Sequence, residues 1–387
     1  MRHMQSEAVT AARDLQPQIT RSRSDTESDR RIAEPIVAAL RAARLCRIGL
    51  PGVLNGLELP IVDALRVYEL LASAEASVSW IVWNNALPCY FGRFLVPQVR
   101  AEVFADPDWL YASSTRPSGR AAIEADGYRV TGRWSLVSGC ELAEWIAVRC
   151  VIEENGAPRM MKPGVPEVRM VWLRRGEFEI LDTWYTGGLR GTGSHDIVVK
   201  AKAVARRLTC SPLDGSSLEG TLGRLPIVCN MAAGYAAQLL GLGEAAIDAL
   251  TTLSRNKPAI DPGPALNERP GVLGAIAEHQ VRLAAAREHL YACVARQWAL
   301  AENGKPPIDS IADNYAAAHH AMAQGRAAVS AMYAAAGASS LYTSSPLERI
   351  HRDMHAMAAH VVAQPMWLED VGRVRLGFEP VNPLFLV

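Results

Sequence analysis

The amino-acid sequence predicts an α+β protein in which a helical domain, a β domain and a bundle of four long helices follow one another. Three observations lead to this prediction. Apolar residues recur at helical spacing from 31 to about 106, and short runs rich in Val, Ile, Trp and Tyr follow from 109 to about 208. After about residue 222 the chain is rich in Ala and again helical in pattern. The predicted units are a tail over 1–27 and domains over 28–108, 109–210 and 211–387.

The predicted tail contains the polar run RSRSDTESD and lacks the apolar segment of a signal peptide, so we expect it to be mobile. Seven cysteines without a C-x-x-C pair indicate reduced thiols. No apolar run reaches the roughly 18 residues that a membrane helix needs. A cytoplasmic protein is therefore predicted.

The charge of the chain is balanced, with 40 Lys plus Arg and 40 Asp plus Glu among 387 residues. Nucleic acids and anionic membranes both attract a basic excess, so neither is expected as a partner. Apolar residues make up 49% of the chain, which is ordinary for a globular protein with a large core.

The elements of each domain are set by simple patterns. In EPIVAALRAARLC, Ile36, Leu40 and Cys46 lie near one helical stripe, and Pro35 suits a first turn. YRVTGRWSLVSG, WIAVRCVI, VRMVWLRR and HDIVVKAKAV are typical of strands. Four Ala-rich helices are predicted at about 227–254, 271–303, 308–337 and 346–371, separated by NKPAIDPGP, NGKPP and YTSSP.

Three stretches carry a family resemblance: TRPSGRAAIEADGYRVTGRWSLVSGCELAEWI (115–146), WYTGGLRGTGSHDIVV (184–199) and SPLERIHRDMHAMAAHVVAQP (345–365). In this order and spacing they resemble the acyl-CoA dehydrogenase superfamily. More closely, the chain is similar to its group D flavin-dependent monooxygenases, which include p-hydroxyphenylacetate hydroxylase oxygenase components and dibenzothiophene monooxygenase. The resemblance implies an N-terminal α-helical domain, a central β-barrel domain and a C-terminal four-helix bundle.

The resemblance also implies a function, that of the oxygenase component of a two-component flavin-dependent monooxygenase. Such a protein receives reduced flavin, FMNH2 or FADH2, by diffusion from a separate flavin reductase. It uses O2, through a C4a-hydroperoxide, to hydroxylate a small aromatic or heteroaromatic substrate. The chain has no nicotinamide-binding fingerprint of its own, which agrees with a separate reductase. A homo-oligomer, a dimer of dimers, is implied as well.

Two residues are expected to be catalytic by this resemblance. Ser138, followed by the flexible Gly139, matches a serine that lies beside N5 of the flavin, although a serine at a strand end often only satisfies a turn. His360 matches a histidine that faces the flavin as acid or base. Along a continuous helix His360 would point away from His351 and His355. No metal site is expected, because H-R-D-M-H lacks the glutamate of H-E-x-x-H.

The remaining candidates are contacts of the flavin and the substrate. Candidate flavin contacts are Ser113, Ser114, Ser118, Trp134, Ser138, Gly139 and Trp184, with Arg255, Gly337 and Ser339 as a phosphate site partly donated by a neighbouring subunit. Candidate substrate contacts are Trp83, Asn84, Asn85 and Thr192. A buried amide must be satisfied or it costs a few kcal/mol, so one of the two asparagines is expected to bond substrate, flavin or backbone. Alternatives are a solvated Arg255, an ordinary helix cap near Gly337, and tryptophans that are only core.

Two rival functions stay open from the sequence. In an acyl-CoA dehydrogenase, the glutamate that removes the α-proton of the thioester would fall near position 361. Here the segment reads AHVVAQP, with His360 and Val361 and no carboxylate. An FAD-bound acyl-CoA dehydrogenase or nitroalkane-oxidase-like enzyme is one rival, and a non-catalytic small-molecule-binding relative is the other.

Overall fold

The protein is described here by a computed structural model that covers residues 6–257 and 263–387. Helices and strands follow the predicted order of helical domain, β domain and helical bundle. The α-helices are α1 Glu7–Arg21, α2 Arg23–Ser28, α3 Glu34–Ala42, α4 Ile61–Ala74, α5 Ala76–Phe91, α6 Pro97–Val103, α7 Thr221–Arg224, α8 Ile227–Asn256, α9 Pro270–Asn303, α10 Ile308–Ala336, α11 Pro346–Ala358 and α12 Met366–Arg375. The strands are β1 Leu110–Glu124, β2 Gly127–Trp134, β3 Ala143–Glu154, β4 Ala157–Pro158, β5 Met160–Lys162, β6 Val165–Pro166, β7 Val168–Arg174, β8 Glu179–Leu181, β9 Asp196–Ala205 and β10 Thr209–Cys210.

The region predicted as a mobile tail is instead helical over its described part, so that prediction is wrong there. Val9, Ala12 and Ile19 of α1 are buried, and α1 packs on α4. The Gln16 side chain donates to the carbonyl oxygen of Leu70 at 2.9 Å, which ties the two helices together. This amphipathic pattern is hard to recognise in the sequence, because the apolar face of α1 is narrow and a polar run around α2 follows it.

The main sheet of the β domain has the strand order β10-β7-β3-β1-β2-β9-β8, with β4 paired to β3, and β5 and β6 form a separate two-stranded sheet. Strands β1 and β3 pair in parallel, whereas the other neighbours are antiparallel. Within the described residues the terminal strands β8 and β10 do not pair with each other, so the expected barrel is an open sheet. These terminal strands are short, with 3 and 2 residues.

The C-terminal bundle contains three helices close to their predicted bounds, α8, α9 and α10. The predicted fourth helix over 346–371 is instead two helices, α11 and α12. Pro365 disfavours helical geometry at the residue before it, and Gln364 is indeed extended, with φ −78° and ψ 150°. His360 is also extended, with φ −70° and ψ 145°, so it lies in the connection and not on a helix face.

Close helix packing in the bundle depends on small residues. A Cβ at Gly325 of α10 would lie 2.4 Å from the carbonyl oxygen of Leu239 on α8, so only glycine allows this approach. Across the part of the chain that the structure describes, every helix is too short or too polar to cross a membrane.

Candidate active site

A cavity of about 510 Å³ lies where α5, the β domain and the α11–α12 connection meet. Its wall is mainly aromatic and apolar, with a few polar side chains, as is usual for small-molecule sites. Residues of the wall include Trp80, Trp83, Asn84, Leu87, Ser113, Ser114, Arg116, Ser138, Trp184, Leu189, Ser194, Met231, His360, Val362 and Trp367.

Helix α5 supplies the aromatic side of the cavity. It is apolar nearly all round because it is buried between the β domain and the bundle. Trp80 and Trp83 are one turn apart, with ring centroids at 5.0 Å. The Trp83 indole donates to the carbonyl oxygen of Met231 on α8 at 2.9 Å, which fixes its ring in the wall.

Ser138 lies in the loop after β2, where Gly139 has φ +74°, a conformation that favours glycine. Its hydroxyl oxygen accepts a hydrogen bond from the Trp80 indole at 3.0 Å and lies 2.7 Å from the hydroxyl of Ser194. Its carbonyl oxygen accepts from the Asn84 amide at 3.2 Å. Ser138 is therefore held on three sides at the cavity wall.

His360 lies between three aromatic rings. It contacts Trp80 and Trp83 edge to face, with centroid distances of 5.3 and 5.5 Å, and stacks on Tyr235 at 5.9 Å. Burial, with a smaller effect of the Arg116 cation, lowers the pKa of His360 to about 4. His360 is therefore neutral near pH 7.

The tautomer of His360 follows from its backbone contact. Its Nδ1 accepts from the N–H of Val362 at 3.3 Å, so the proton of the neutral ring resides on Nε2. In this state His360 presents a hydrogen-bond donor at Nε2. A carbonyl or phenol oxygen is the group that such a donor binds.

The polar side of the cavity comes from β1 and the β8–β9 loop. Ser113 and Ser114 are buried in the wall, and the Ser113 hydroxyl has no hydrogen-bond partner within the described chain. Such an unsatisfied group is costly unless a ligand meets it. Trp184 also lies in the wall, and its indole donates to the carbonyl oxygens of Leu189 and Arg190, both at 3.1 Å. A flat ligand with polar edges, such as a flavin, fits this set of groups.

Besides the three candidate phosphate contacts and Gly139, which follows Ser138, four of the candidate residues lie outside the wall of the cavity. Trp134 is buried in the β core, donates to the carbonyl oxygen of Arg149 at 2.9 Å and packs against Gly119, where a Cβ would lie 2.0 Å from its ring. The Asn85 amide donates to Cys46 and accepts from the N–H of Tyr111, so both its ends bond backbone. Ser118 is exposed beyond the rim, and Thr192 is buried behind Ser194.

The three candidate phosphate contacts lie away from the cavity of their own chain. Arg255 is exposed near the end of α8, and Gly337 follows α10. Ser339 accepts a hydrogen bond from Lys257 at 2.6 Å, so these two segments are neighbours. Within one copy of the chain this group does not join the site around Ser138 and His360.

Four further groups lie at or behind the site, and of these the sequence had assigned no role to Arg116. Trp80, Arg116 and Ser194 lie in the wall, and Asp353 accepts from the N–H of Leu189 at 2.7 Å just behind it. The spacing of Trp80 and Trp83 is a signal for one shared helix face. No local pattern connects Asp353 with Leu189, which lies 164 residues away.

The described wall of the cavity lacks the glutamate that serves as the base in an acyl-CoA dehydrogenase. No Asp or Glu belongs to it, and Val361 occupies the position where the glutamate was sought. Nor, in residues 6–257 and 263–387, does any group of three or more His, Cys, Asp or Glu side chains have an arrangement that could hold a metal ion.

Comparisons with known proteins agree with the predicted family. Residues 233–365 match the family model of the acyl-CoA dehydrogenase C-terminal domain. An indole-3-acetate monooxygenase from Pseudomonas putida is 26% identical over 357 residues, covering 92% of this chain and 90% of that protein. A flavin-dependent monooxygenase oxygenase subunit, HsaA of Mycobacterium tuberculosis, is 28% identical over 378 residues, covering 93% of each chain.

The fold is shared with a solved structure. The 3-HSA hydroxylase from Rhodococcus sp. RHA1 superposes with a TM-score of 0.90 at 24% identity, covering 99% of this chain and 100% of that one. The predicted acyl-CoA dehydrogenase-like fold is therefore confirmed, with the open sheet and the divided last helix as its corrections.

Proposed function

Because the chain belongs to the flavin-dependent monooxygenases built on the acyl-CoA dehydrogenase fold, we propose that it is the oxygenase component of a two-component system. It uses reduced flavin and O2 to hydroxylate a small aromatic or heteroaromatic substrate. One observation carries this proposal: Ser138 and His360 lie in the wall of the same aromatic cavity, in which the described residues include no carboxylate. The indole-3-acetate monooxygenase among the relatives supports the substrate class.

The flavin is expected between the β1 serines and α5. Ser113, Ser114 and Ser138 offer hydroxyls to its polar edge, and Trp184 offers an aromatic surface. When bound, reduced flavin supplies the two electrons with which O2 is activated, while the protein supplies orientation and a dry surrounding. The unpartnered hydroxyl of Ser113 is the group that most needs such a ligand.

His360 is proposed to orient the substrate. Its neutral ring donates from Nε2, so it holds a phenol-type oxygen or a carbonyl in a fixed position beside the indoles of Trp80 and Trp83. Nδ1 already accepts a hydrogen bond from the N–H of Val362, and Nε2 carries the proton of the neutral ring. Nε2 can therefore accept a proton only after it has lost this one. His360 therefore acts first as a donor, which is narrower than the expected role of acid or base.

The partners follow from the same proposal. A separate flavin reductase supplies the reduced flavin by diffusion, and a relative that is named an oxygenase subunit supports a partner of this kind. We further propose a homo-oligomer, a dimer of dimers, in which Arg255, Gly337 and Ser339 bind the flavin phosphate of a neighbouring subunit. A cytoplasmic location is supported by the cysteines, which are all buried free thiols.

The proposal is tested by mixing the protein and chemically reduced FMN or FAD, kept free of oxygen, with oxygenated buffer. We expect the protein to slow flavin reoxidation, and a phenol or an indole to suppress hydrogen peroxide release while a hydroxylated product forms. Reoxidation at the rate of free flavin, with every electron pair recovered as peroxide, contradicts the proposal.

A matched pair of variants locates the effect in the site. Ser138→Ala removes the hydroxyl at the cavity wall, so we expect more peroxide per flavin oxidised. Ser118→Ala removes an exposed hydroxyl outside the cavity and should leave that ratio unchanged. Bleaching of oxidised flavin by an acyl-CoA without oxygen would favour the dehydrogenase, and failure to bind any flavin would favour a non-catalytic protein.

A further inference from the structure

A row of three hydroxyl groups extends from Ser138 into the protein. The Ser138 and Ser194 oxygens are 2.7 Å apart, and those of Ser194 and Thr192 are 2.6 Å apart. The Thr192 hydroxyl then donates to the carbonyl oxygen of Leu189 at 2.8 Å. All three hydroxyls are buried, and Thr192, the last one, does not reach the cavity.

The two ends of this row determine where each proton points. A carbonyl oxygen only accepts, so Thr192 must give its single proton to Leu189. Ser194 then donates to Thr192, and Ser138 donates to Ser194, because each hydroxyl has one proton. At the other end the Trp80 indole, which only donates, gives its proton to Ser138 at 3.0 Å.

Ser138 is left with one unused lone pair and no free proton. A hydroxyl has one donor and two acceptor positions, and here the proton and one acceptor position are already used. The remaining position can only accept. A ligand that meets Ser138 must therefore bring an N–H or O–H.

The terminal acceptor is itself held in place. The Leu189 N–H donates to Asp353 on α11 at 2.7 Å, and Leu189 has the strained φ of +52°. Its neighbour Gly188 lies so close to Arg352 that a Cβ would be 2.3 Å from that carbonyl oxygen. The carbonyl of Leu189 also accepts from the Trp184 indole and the Thr192 N–H, each at 3.1 Å. This end of the row is fixed by the packing of the loop on α11.

We propose that Ser194 and Thr192 are positioning residues that keep Ser138 a hydrogen-bond acceptor and so make the site selective for reduced flavin. This inference rests on the proposed function and on the position of Ser138 beside N5 of the flavin that the family resemblance implies. It uses one difference between the two redox forms. N5 of reduced flavin carries a proton and donates, whereas N5 of oxidised flavin has none and accepts. An acceptor-only Ser138 bonds the first form and leaves the second form without a partner at that atom.

The experiment is a pair of anaerobic titrations of the full-length protein with oxidised and with dithionite-reduced FMN or FAD, followed by absorbance or fluorescence. The measured quantity is the ratio of the two dissociation constants, oxidised over reduced. Thr192→Val keeps the shape of the side chain but removes the last hydroxyl, which frees Ser194 to donate to Ser138 and Ser138 to donate into the cavity. We expect the ratio to fall by about threefold to tenfold, the effect of one ordinary hydrogen bond.

Two further variants separate orientation from packing. Thr192→Ser restores the hydroxyl and should restore the ratio, although it removes a methyl group. Ser194→Ala interrupts the row one step nearer to Ser138 and should lower the ratio as Thr192→Val does. Far-UV circular dichroism and thermal unfolding show whether each variant folds, and the outcomes are judged on the variants that fold.

The possible outcomes are distinct. A ratio that stays unchanged in both interrupting variants, or dissociation constants that rise equally for both redox forms, overturns the inference but leaves the proposed function intact. If the unchanged protein binds no reduced flavin, the proposed function fails and the inference fails with it. A ratio that falls in Thr192→Val and in Ser194→Ala, and that returns to its original value in Thr192→Ser, supports the inference.

Discussion

The Asp353 carboxylate accepts a hydrogen bond of 2.7 Å from the backbone N–H of Leu189, and by this contact α11 holds the loop before β9 against the cavity. Both groups are buried. Burial, and then the nearby Glu75 carboxylate, raise the pKa of Asp353, so its neutral form is favoured in the folded protein. The contact therefore depends on an acceptor oxygen more than on a negative charge.

Replacing Asp353 tests this distinction. Asp353→Ala leaves the N–H of Leu189 buried without an acceptor, and we expect a loss of about 1–3 kcal/mol in the free energy of unfolding. Asp353→Asn retains an oxygen of the same shape and should lose clearly less. Urea unfolding at pH 7 measures both. Equal losses in the two variants would mean that the charge, through Arg349 or Arg352, is what matters.

The pH dependence of stability reports on His360. Its pKa is lowered in the folded protein to about 4, mainly by burial, from an ordinary value of about 6.5. Between these values the unfolded chain binds a proton that the folded protein does not, so this contribution is complete above about pH 6.5 and is lost as the pH falls towards 4. His360→Gln lacks this change. On acidification from pH 7 to 5, we expect the melting temperature of the unchanged protein to fall more than that of His360→Gln.

The same pKa predicts the pH profile of the reaction. A His360 that is neutral throughout pH 6–8 adds no ionisation to the rate in that range. The profile of the coupled hydroxylation rate should therefore keep its shape in His360→Gln, with a lower amplitude. A break near pH 6.5 that disappears in His360→Gln would show that the imidazolium takes part.

Adjacent asparagines on α5 should behave differently. Asn85 bonds the backbone of Cys46 and Tyr111 in the core, so Asn85→Leu leaves two buried backbone groups unpaired and should destabilise the fold by about 2–5 kcal/mol. Asn84 lies in the cavity wall with one bond to Ser138, so Asn84→Ala should alter flavin affinity with a small change in stability. Thermal unfolding and anaerobic flavin titration check the pair. The prediction fails if Asn85→Leu has the same melting temperature as the unchanged protein.

Two tryptophans of the β domain give a second contrast. Trp134→Phe removes the bond to Arg149 and leaves space beside Gly119, so we expect a loss of about 1–3 kcal/mol in the free energy of unfolding without a change in flavin affinity. Trp184→Phe alters the cavity wall and should change the dissociation constant of reduced flavin. If the dissociation constant of reduced flavin were unchanged in Trp184→Phe and raised in Trp134→Phe, then Trp134 and not Trp184 would be the flavin contact.

The order of domains and the long helices were predicted correctly because they depend on local patterns. Helical periodicity and Ala content give α8, α9 and α10 nearly their observed bounds, and the β-rich run lies between them and the first helices. Motifs of 16 to 32 residues also carried the family resemblance and the two central residues of the candidate site. Each of these signals is contained in a short stretch of chain.

Errors arose where a short stretch was ambiguous. The first helix was taken for a mobile tail because its composition is mostly polar. Its narrow apolar face becomes buried only when α1 packs on α4. His360 was placed on a continuous helix, although Pro365 and the extended residues before it divide that helix. The sheet was expected to close, but its terminal strands β8 and β10 do not pair with each other within the described residues.

By itself, the sequence determined the fold class and the family resemblance, and it supplied the candidate residues of the site. Only the tertiary structure decided which neighbours share a surface: that Asn84 faces the cavity while Asn85 bonds backbone, and that Trp134 is core while Trp80 contacts Ser138. It also aligned Ser138, Ser194, Thr192 and Leu189 in one row. The reason is physical, since a hydrogen bond depends on ångström distances between groups that are up to 164 residues apart in the chain. Local spacing along the chain does not determine such distances.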